Sequence, residues 1–98
     1  MEFKVIVTSE VREEILNYIE YIADRGNPNN AVTWALKMEE AVLSLSEFPE
    51  RFPIYVHPNG SNTPFRWFVL DSHRVLYYID HENKQVLVTT VQHTALDS

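Results

Sequence analysis

Between Phe65 and His93 the chain alternates apolar runs with short polar breaks, and that pattern restricts this part to strands of a sheet. The runs are Phe65-Arg66-Trp67-Phe68-Val69-Leu70, then His73-Arg74-Val75-Leu76-Tyr77-Tyr78-Ile79-Asp80, then Gln85-Val86-Leu87-Val88-Thr89-Thr90-Val91-Gln92-His93. Asp71-Ser72 and His81-Glu82-Asn83-Lys84 separate them. Aromatic and β-branched side chains suit a pleated surface, and breaks this short make neighbouring strands antiparallel. Each run also carries a cation or a titratable ring: Arg66, Arg74 and His93. Three such groups on adjacent strands can form a site for an anion. Each also has a plainer reading. Arg66 can lie over aromatic surface, Arg74 can be a salt-bridge or rim charge, and His93 can be an ordinary surface residue. By strict alternation Arg74 shares a face with Leu76 and Tyr78, Arg66 with Phe68 and Leu70, and His93 with Leu87, Thr89 and Val91. Register between the strands decides whether the three share one face, and alternation alone leaves that open.

The first half reads differently. Residues 2–7 alternate and predict a strand. Thr8 or Ser9 caps a helix whose first turns hold Glu10, Glu13 and Glu14, which suit its positive end. Val11, Ile15, Ile19 and Ile22 recur at helical spacing and make one apolar stripe, widened by Leu16, Tyr18 and Ala23. Gly26, Asn27 and Pro28 end that helix. Asn29 or Asn30 then caps a second, with the stripe Ala31, Trp34/Ala35, Met38, Ala41/Val42 and Leu45, closed by Pro49. So short a connection makes an antiparallel helical hairpin, and the C-terminal sheet is the surface that buries its stripe. Residues 49–64 hold four of the five prolines and read as loop, with a short edge strand at Ile54–Val56. The fold class is therefore α+β. One domain over residues 1–98 has an N-terminal strand, then a helical hairpin packed on an antiparallel sheet of three to four strands.

Charge narrows the partners. The net charge is −6, with nine acids against four bases in residues 1–49 and five against four in residues 50–98. A nonspecific grip on nucleic acid needs a basic footprint, so any phosphate contact here is local. There is no cysteine, which removes disulfides and zinc–thiolate sites. The four histidines have no chelating spacing, and no metal or other cofactor is implied. No apolar run approaches a membrane span and the N-terminus lacks a signal-peptide pattern, so a cytoplasmic protein without membrane contact is the expectation.

Several segments, in this order, resemble the RelE/ParE superfamily of bacterial type II toxin–antitoxin toxins, of the plasmid-stabilisation kind. Leu43-Ser44-Leu45-Ser46-Glu47-Phe48-Pro49-Glu50-Arg51-Phe52-Pro53 looks like the family's leucine, proline and arginine run after the second helix. Phe65-Arg66 looks like its apolar-Arg start of a core strand, and His73 to Asp80 like its central strand. His93 falls where many members have His or Tyr. The resemblance implies a growth-inhibiting toxin, a cognate antitoxin laid across it, and one of two targets. ParE-like members poison DNA gyrase without chemistry of their own. RelE-like and YoeB-like members cut messenger RNA in the ribosomal A site. On that second route Arg74 would stabilise the phosphorane, His93 act as general acid and Arg66 contact a second phosphate. The resemblance also admits a homodimer, or a heterotetramer with the antitoxin. The chain departs from the ribosome-dependent nucleases in being acidic and in having no arginine among Thr94-Ala95-Leu96-Asp97-Ser98. It offers no match for the catalytic glutamate or the lysines of RelE, Glu50 being a poor substitute. Gyrase inhibition is therefore the leading expectation. The ribosome-dependent nuclease comes next, and a degenerate, non-toxic antitoxin-binding module is the third.

Overall fold

The computed structural model describes residues 2–94. Within them the order is β1 (Lys4–Val7), α1 (Ser9–Asp24), α2 (Pro28–Leu43), two 3-10 turns (Ser44–Ser46 and Pro49–Arg51), β2 (Ile54–Val56), β3 (Asn62–Leu70), β4 (His73–Asp80) and β5 (Gln85–His93). The strands form one sheet in the order β1-β5-β4-β3-β2. The predicted meander is there: β2–β3, β3–β4 and β4–β5 are antiparallel. The N-terminal strand adds a fifth member on the other side, parallel to β5, with Val5 opposite Val86 and Val7 opposite Val88. The sheet is thus mixed.

Local chemistry explains the helix ends. Thr8 caps α1, its hydroxyl accepting from Val11 N at 3.3 Å. Gly26, at φ 82, takes the left-handed conformation that ends α1, and its N–H bonds to Ala23 O at 3.0 Å. The second helix starts earlier than the sequence suggested. Asn27, not Asn29 or Asn30, is its cap, accepting from Asn30 N at 3.4 Å. Pro28 opens the helix rather than only ending the one before it. A proline at the first helical position loses no bond, because that N–H has no partner in any helix. At the other end, α2 stops at Leu43 and tightens into the first 3-10 turn, several residues short of Pro49.

The core lies between the hairpin and one face of the sheet. Val11, Trp34, Met38, Val42 and Leu45 pack against Phe68, Val75, Tyr77, Val86, Val88 and Val91. The α2 stripe is buried as read from its spacing. The α1 stripe is shallower, with Val11 buried and Ile15, Ile19 and Ile22 packed on the rim of the core. Leu16 does not widen the stripe: it is 56% exposed. Five residues past Val11, at about 100° each, it points well away from the sheet.

One irregularity redirects a candidate residue. Across β4–β5, Leu76 pairs with Thr90 but Tyr77 pairs with Val88, so Thr89 is an extra residue. Such a bulge reverses the alternation beyond it. Val86 and Val88 face the helices before the bulge, Val91 and His93 after it. His93 therefore does not share a face with Leu87, as strict alternation suggested. Leu87 lies on the face away from the helices, in a row Ile6–Leu87–Tyr78–Phe65 across four strands.

Candidate functional site

Arg66 lies on the helix-side face of β3, opposite Tyr77. Its Nη1 donates to the carbonyls of Phe52 at 2.6 Å and Glu50 at 3.1 Å. The same loop is held twice more. Arg51 Nη1 donates to Glu47 O at 2.8 Å and its Nη2 to Ser44 Oγ at 2.6 Å. Tyr77 Oη donates to the buried carbonyl of Pro49. The loop needs such clamps, because Phe48 sits at φ 50, a left-handed conformation unfavourable to a bulky side chain. Burial raises the Tyr77 hydroxyl pKa to about 12, with Arg66 and Arg51 pulling the other way.

Arg74 lies on the opposite, open face of the sheet, in the row Val69–Arg74–Gln92. Its guanidinium carbon is 5.6 Å from the Trp67 ring centroid and 6.0 Å from that of Tyr55. Those two rings meet edge to face at 6.3 Å. Phe65 and Tyr78 meet similarly at 6.4 Å, and Val69 and Tyr78 are exposed. A cation set among aromatic rings on an uncovered sheet face can contact either a protein segment or stacked bases.

His93 is on the helix-side face, paired with His73 across β4–β5. The two rings are 5.0 Å apart, nearly perpendicular. His73 is 3% exposed and also contacts Tyr18 at 4.2 Å and Trp34 at 5.0 Å. Among the described residues its buried Nδ1 has no hydrogen-bond partner. Burial lowers the His73 pKa, the neighbouring His93 lowers it further, and Asp71 partly offsets both. Beside this pair a cavity of about 380 Å³ opens between α1 and the end of β5, lined by Glu14, Tyr18, Tyr21 and Gln92 as well as the two histidines.

The three residues singled out from the sequence therefore occupy three places. Arg74 is on the open face, while Arg66 and His93 are on the other. Those two are also separated along the sheet, since Arg66 is in register with Tyr77 and His93 with His73, four residues further along β4. At ~3.4 Å per residue that offset alone is about 14 Å. No shared anion site is built from them. The histidine cavity escaped the sequence reading, which placed Tyr18 in the apolar stripe. A signal existed: Glu14, Tyr18 and Tyr21 are spaced i, i+4, i+7, so they line one helical face. Among the described residues no group of three or more His, Asp or Glu side chains is arranged to hold a metal, and no helix is long and apolar enough to cross a membrane.

Comparison with known proteins fits this architecture. The fold is similar to a chain in the crystal structure of the toxin–antitoxin complex RelBE2 from Mycobacterium tuberculosis. The TM-score is 0.68 and identity 19%, with 95% of this chain and 99% of that one covered. No curated protein sequence matches. Residues 5–97 match the ParE toxin of the type II toxin–antitoxin system parDE. Matched over nearly its whole length, the chain belongs to the ParE toxin family of type II toxin–antitoxin systems.

Proposed function

We propose that this toxin acts in the cytoplasm by binding rather than by chemistry, inhibiting DNA gyrase, and that a cognate antitoxin neutralises it. The observation that carries this reading is the dispersal of Arg66, Arg74 and His93 over two faces of the sheet. Cleavage of RNA by 2′-hydroxyl attack needs a cation on the phosphorane and a proton donor on the leaving oxygen, all within a few ångströms. Here Arg66 is tied to the carbonyls of Glu50 and Phe52, and His93 packs in a cluster with Tyr18 and His73. An acidic chain is also poorly suited to ribosomal RNA. The open sheet face, with Trp67, Phe65, Tyr78 and Val69, offers the aromatic and aliphatic anchors that a protein partner uses.

Pulse labelling of DNA and protein synthesis after induction of this chain alone tests the proposal. DNA synthesis falling first, with His93→Ala still arresting growth, is the expected result. Translation falling first would transfer the proposal to a ribosome-dependent endoribonuclease. One observation favours that alternative: Arg74 between Trp67 and Tyr55 makes a stacking, cationic surface of the kind single-stranded RNA binds. Arg74→Ala would then abolish the arrest. Unchanged synthesis of both, by a folded chain that still binds its antitoxin, would reduce it to a binding module.

A further inference from the structure

The loop between α2 and β2 holds a phenylalanine where both the backbone and the solvent disfavour one. Phe48 is 81% exposed, and Leu36 follows it among the exposed large apolar side chains at 60%. Its ring lies outside the core cluster. Its backbone is at φ 50 and ψ 55, the left-handed region. There a Cβ crowds the following carbonyl, so glycine and asparagine are the residues that ordinarily occupy it. Pro49 follows, and a residue before proline is ordinarily extended because the proline ring crowds it. The fold gains no burial from this ring in return.

The strained conformation is also fixed. Pro49 is buried, and Tyr77 Oη donates to its carbonyl. Arg51 Nη1 donates to Glu47 O at 2.8 Å and to the carbonyl of Phe48 itself at 3.3 Å. Arg66 Nη1 holds the carbonyls of Glu50 and Phe52. The backbone on both sides of the ring is therefore tied down. An aromatic side chain on a rigid base loses little further freedom when it is captured, which is the property of a strong interface anchor.

The flanks narrow what captures it. Glu47 and Glu50 are exposed, while the Arg51 guanidinium is tied to its own loop. Two carboxylates beside the ring repel phosphates, so nucleic acid and anionic lipid are unsuitable. A phenyl ring needs a concave apolar pocket. A helix or extended segment laid across the domain has none, whereas a folded surface does.

We propose that Phe48 is an anchor by which this toxin docks on its protein target, the ring entering an apolar cup whose rim carries cations opposite Glu47 and Glu50. The proposal rests on the reading of a toxin that acts by binding a protein, and deepens it by naming a side chain that makes the contact.

The test compares Phe48→Asn and Phe48→Leu with the wild type. Asparagine accepts the left-handed backbone and removes the ring, whereas leucine keeps apolar bulk without the ring. Relief of strain is expected to raise the Tm of Phe48→Asn by about 2–6 °C. The variant is expected to co-purify with the antitoxin as the wild type does. The amount of toxin needed to arrest growth is expected to rise at least about tenfold for Phe48→Asn, and less for Phe48→Leu. Undiminished arrest by Phe48→Asn would overturn the anchor. So would a lower Tm, because the ring would then be supporting the fold. Loss of antitoxin binding along with arrest, in a variant that keeps its Tm, would place the ring in the antitoxin contact and overturn the target assignment. Failure of the underlying reading shows instead in the wild type, as a folded chain that arrests nothing, and the anchor falls with it.

Discussion

Replacing Tyr77 with phenylalanine removes one oxygen from the centre of the sheet, and the structure sets what that does. The side chain is 0% exposed, and its hydroxyl donates to the Pro49 carbonyl, itself buried. The ring stays packed against Phe52 and Phe68, so the variant leaves little cavity. It leaves instead a buried carbonyl without that donor, a loss of about 1–2 kcal/mol. For a domain of this size that lowers Tm by roughly 4–8 °C per kcal/mol. The pH dependence gives an independent check. The folded pKa is raised to about 12 from an ordinary value of 10.0, so the stabilisation is intact below pH 10 and is lost as pH rises through that interval. Two units correspond to at most about 2.7 kcal/mol, of which about 1.4 is gone by pH 11. The variant has no such titration. Urea denaturation of both proteins, followed by circular dichroism from pH 7 to pH 11, should show the wild type ahead at neutral pH and the gap closing above pH 10. A gap that keeps its size across that range would refute the account of the hydroxyl, as would equal stability at pH 7.

Two other predictions rest on the same geometry. His73 has a folded pKa below 6.5, so its stabilising effect is present above that pH and declines as pH falls below it. The urea midpoint of the wild type should drop between pH 7.5 and pH 5.5, and His73→Phe should flatten that drop. Arg66→Ala removes two charge-assisted bonds to the loop at Glu50 and Phe52 and should cost about 1.5–3 kcal/mol, whereas Arg74→Ala, on the open face, should cost under about 1 kcal/mol by the same denaturation measurement.

Most of the architecture was legible because period and punctuation agree in this chain. Alternation marked β3 to β5, the polar pairs marked their turns, and helical spacing found the buried face of α2 down to Met38 and Val42. The failures have specific causes. Pro28 can end one helix or begin the next, and only the geometry of Asn27 chooses between them. A strand's own pattern does not reveal its neighbour, so the parallel pairing of β1 with β5 was not visible. Thr89 carries no mark of a bulge, yet it reverses the face on which His93 lies. Arg66 and Arg74 look alike in sequence, each an arginine within an apolar run. One became a clamp on backbone carbonyls and the other a stacked surface cation, because register set them on opposite faces. The cavity at Glu14, Tyr18 and His93 joins residues far apart in the chain, and local pattern cannot display such a meeting.

The pairing of β1 with β5 has a consequence in time. Lys4 lies opposite Gln85 and Val7 opposite Val88, so β1 is made long before the strand it pairs with. Until β5 leaves the ribosome, the inner side of the hairpin has no Val86, Val88 or Val91 to lie against, and β4 has one neighbour instead of two. Contacts so distant in sequence form slowly, because the loop they close must be ordered before they repay it. The nascent domain therefore keeps part of its apolar stripe uncovered until β5 is made, and the cavity beside α1, which β5 walls with Val91, Gln92 and His93, is completed only then.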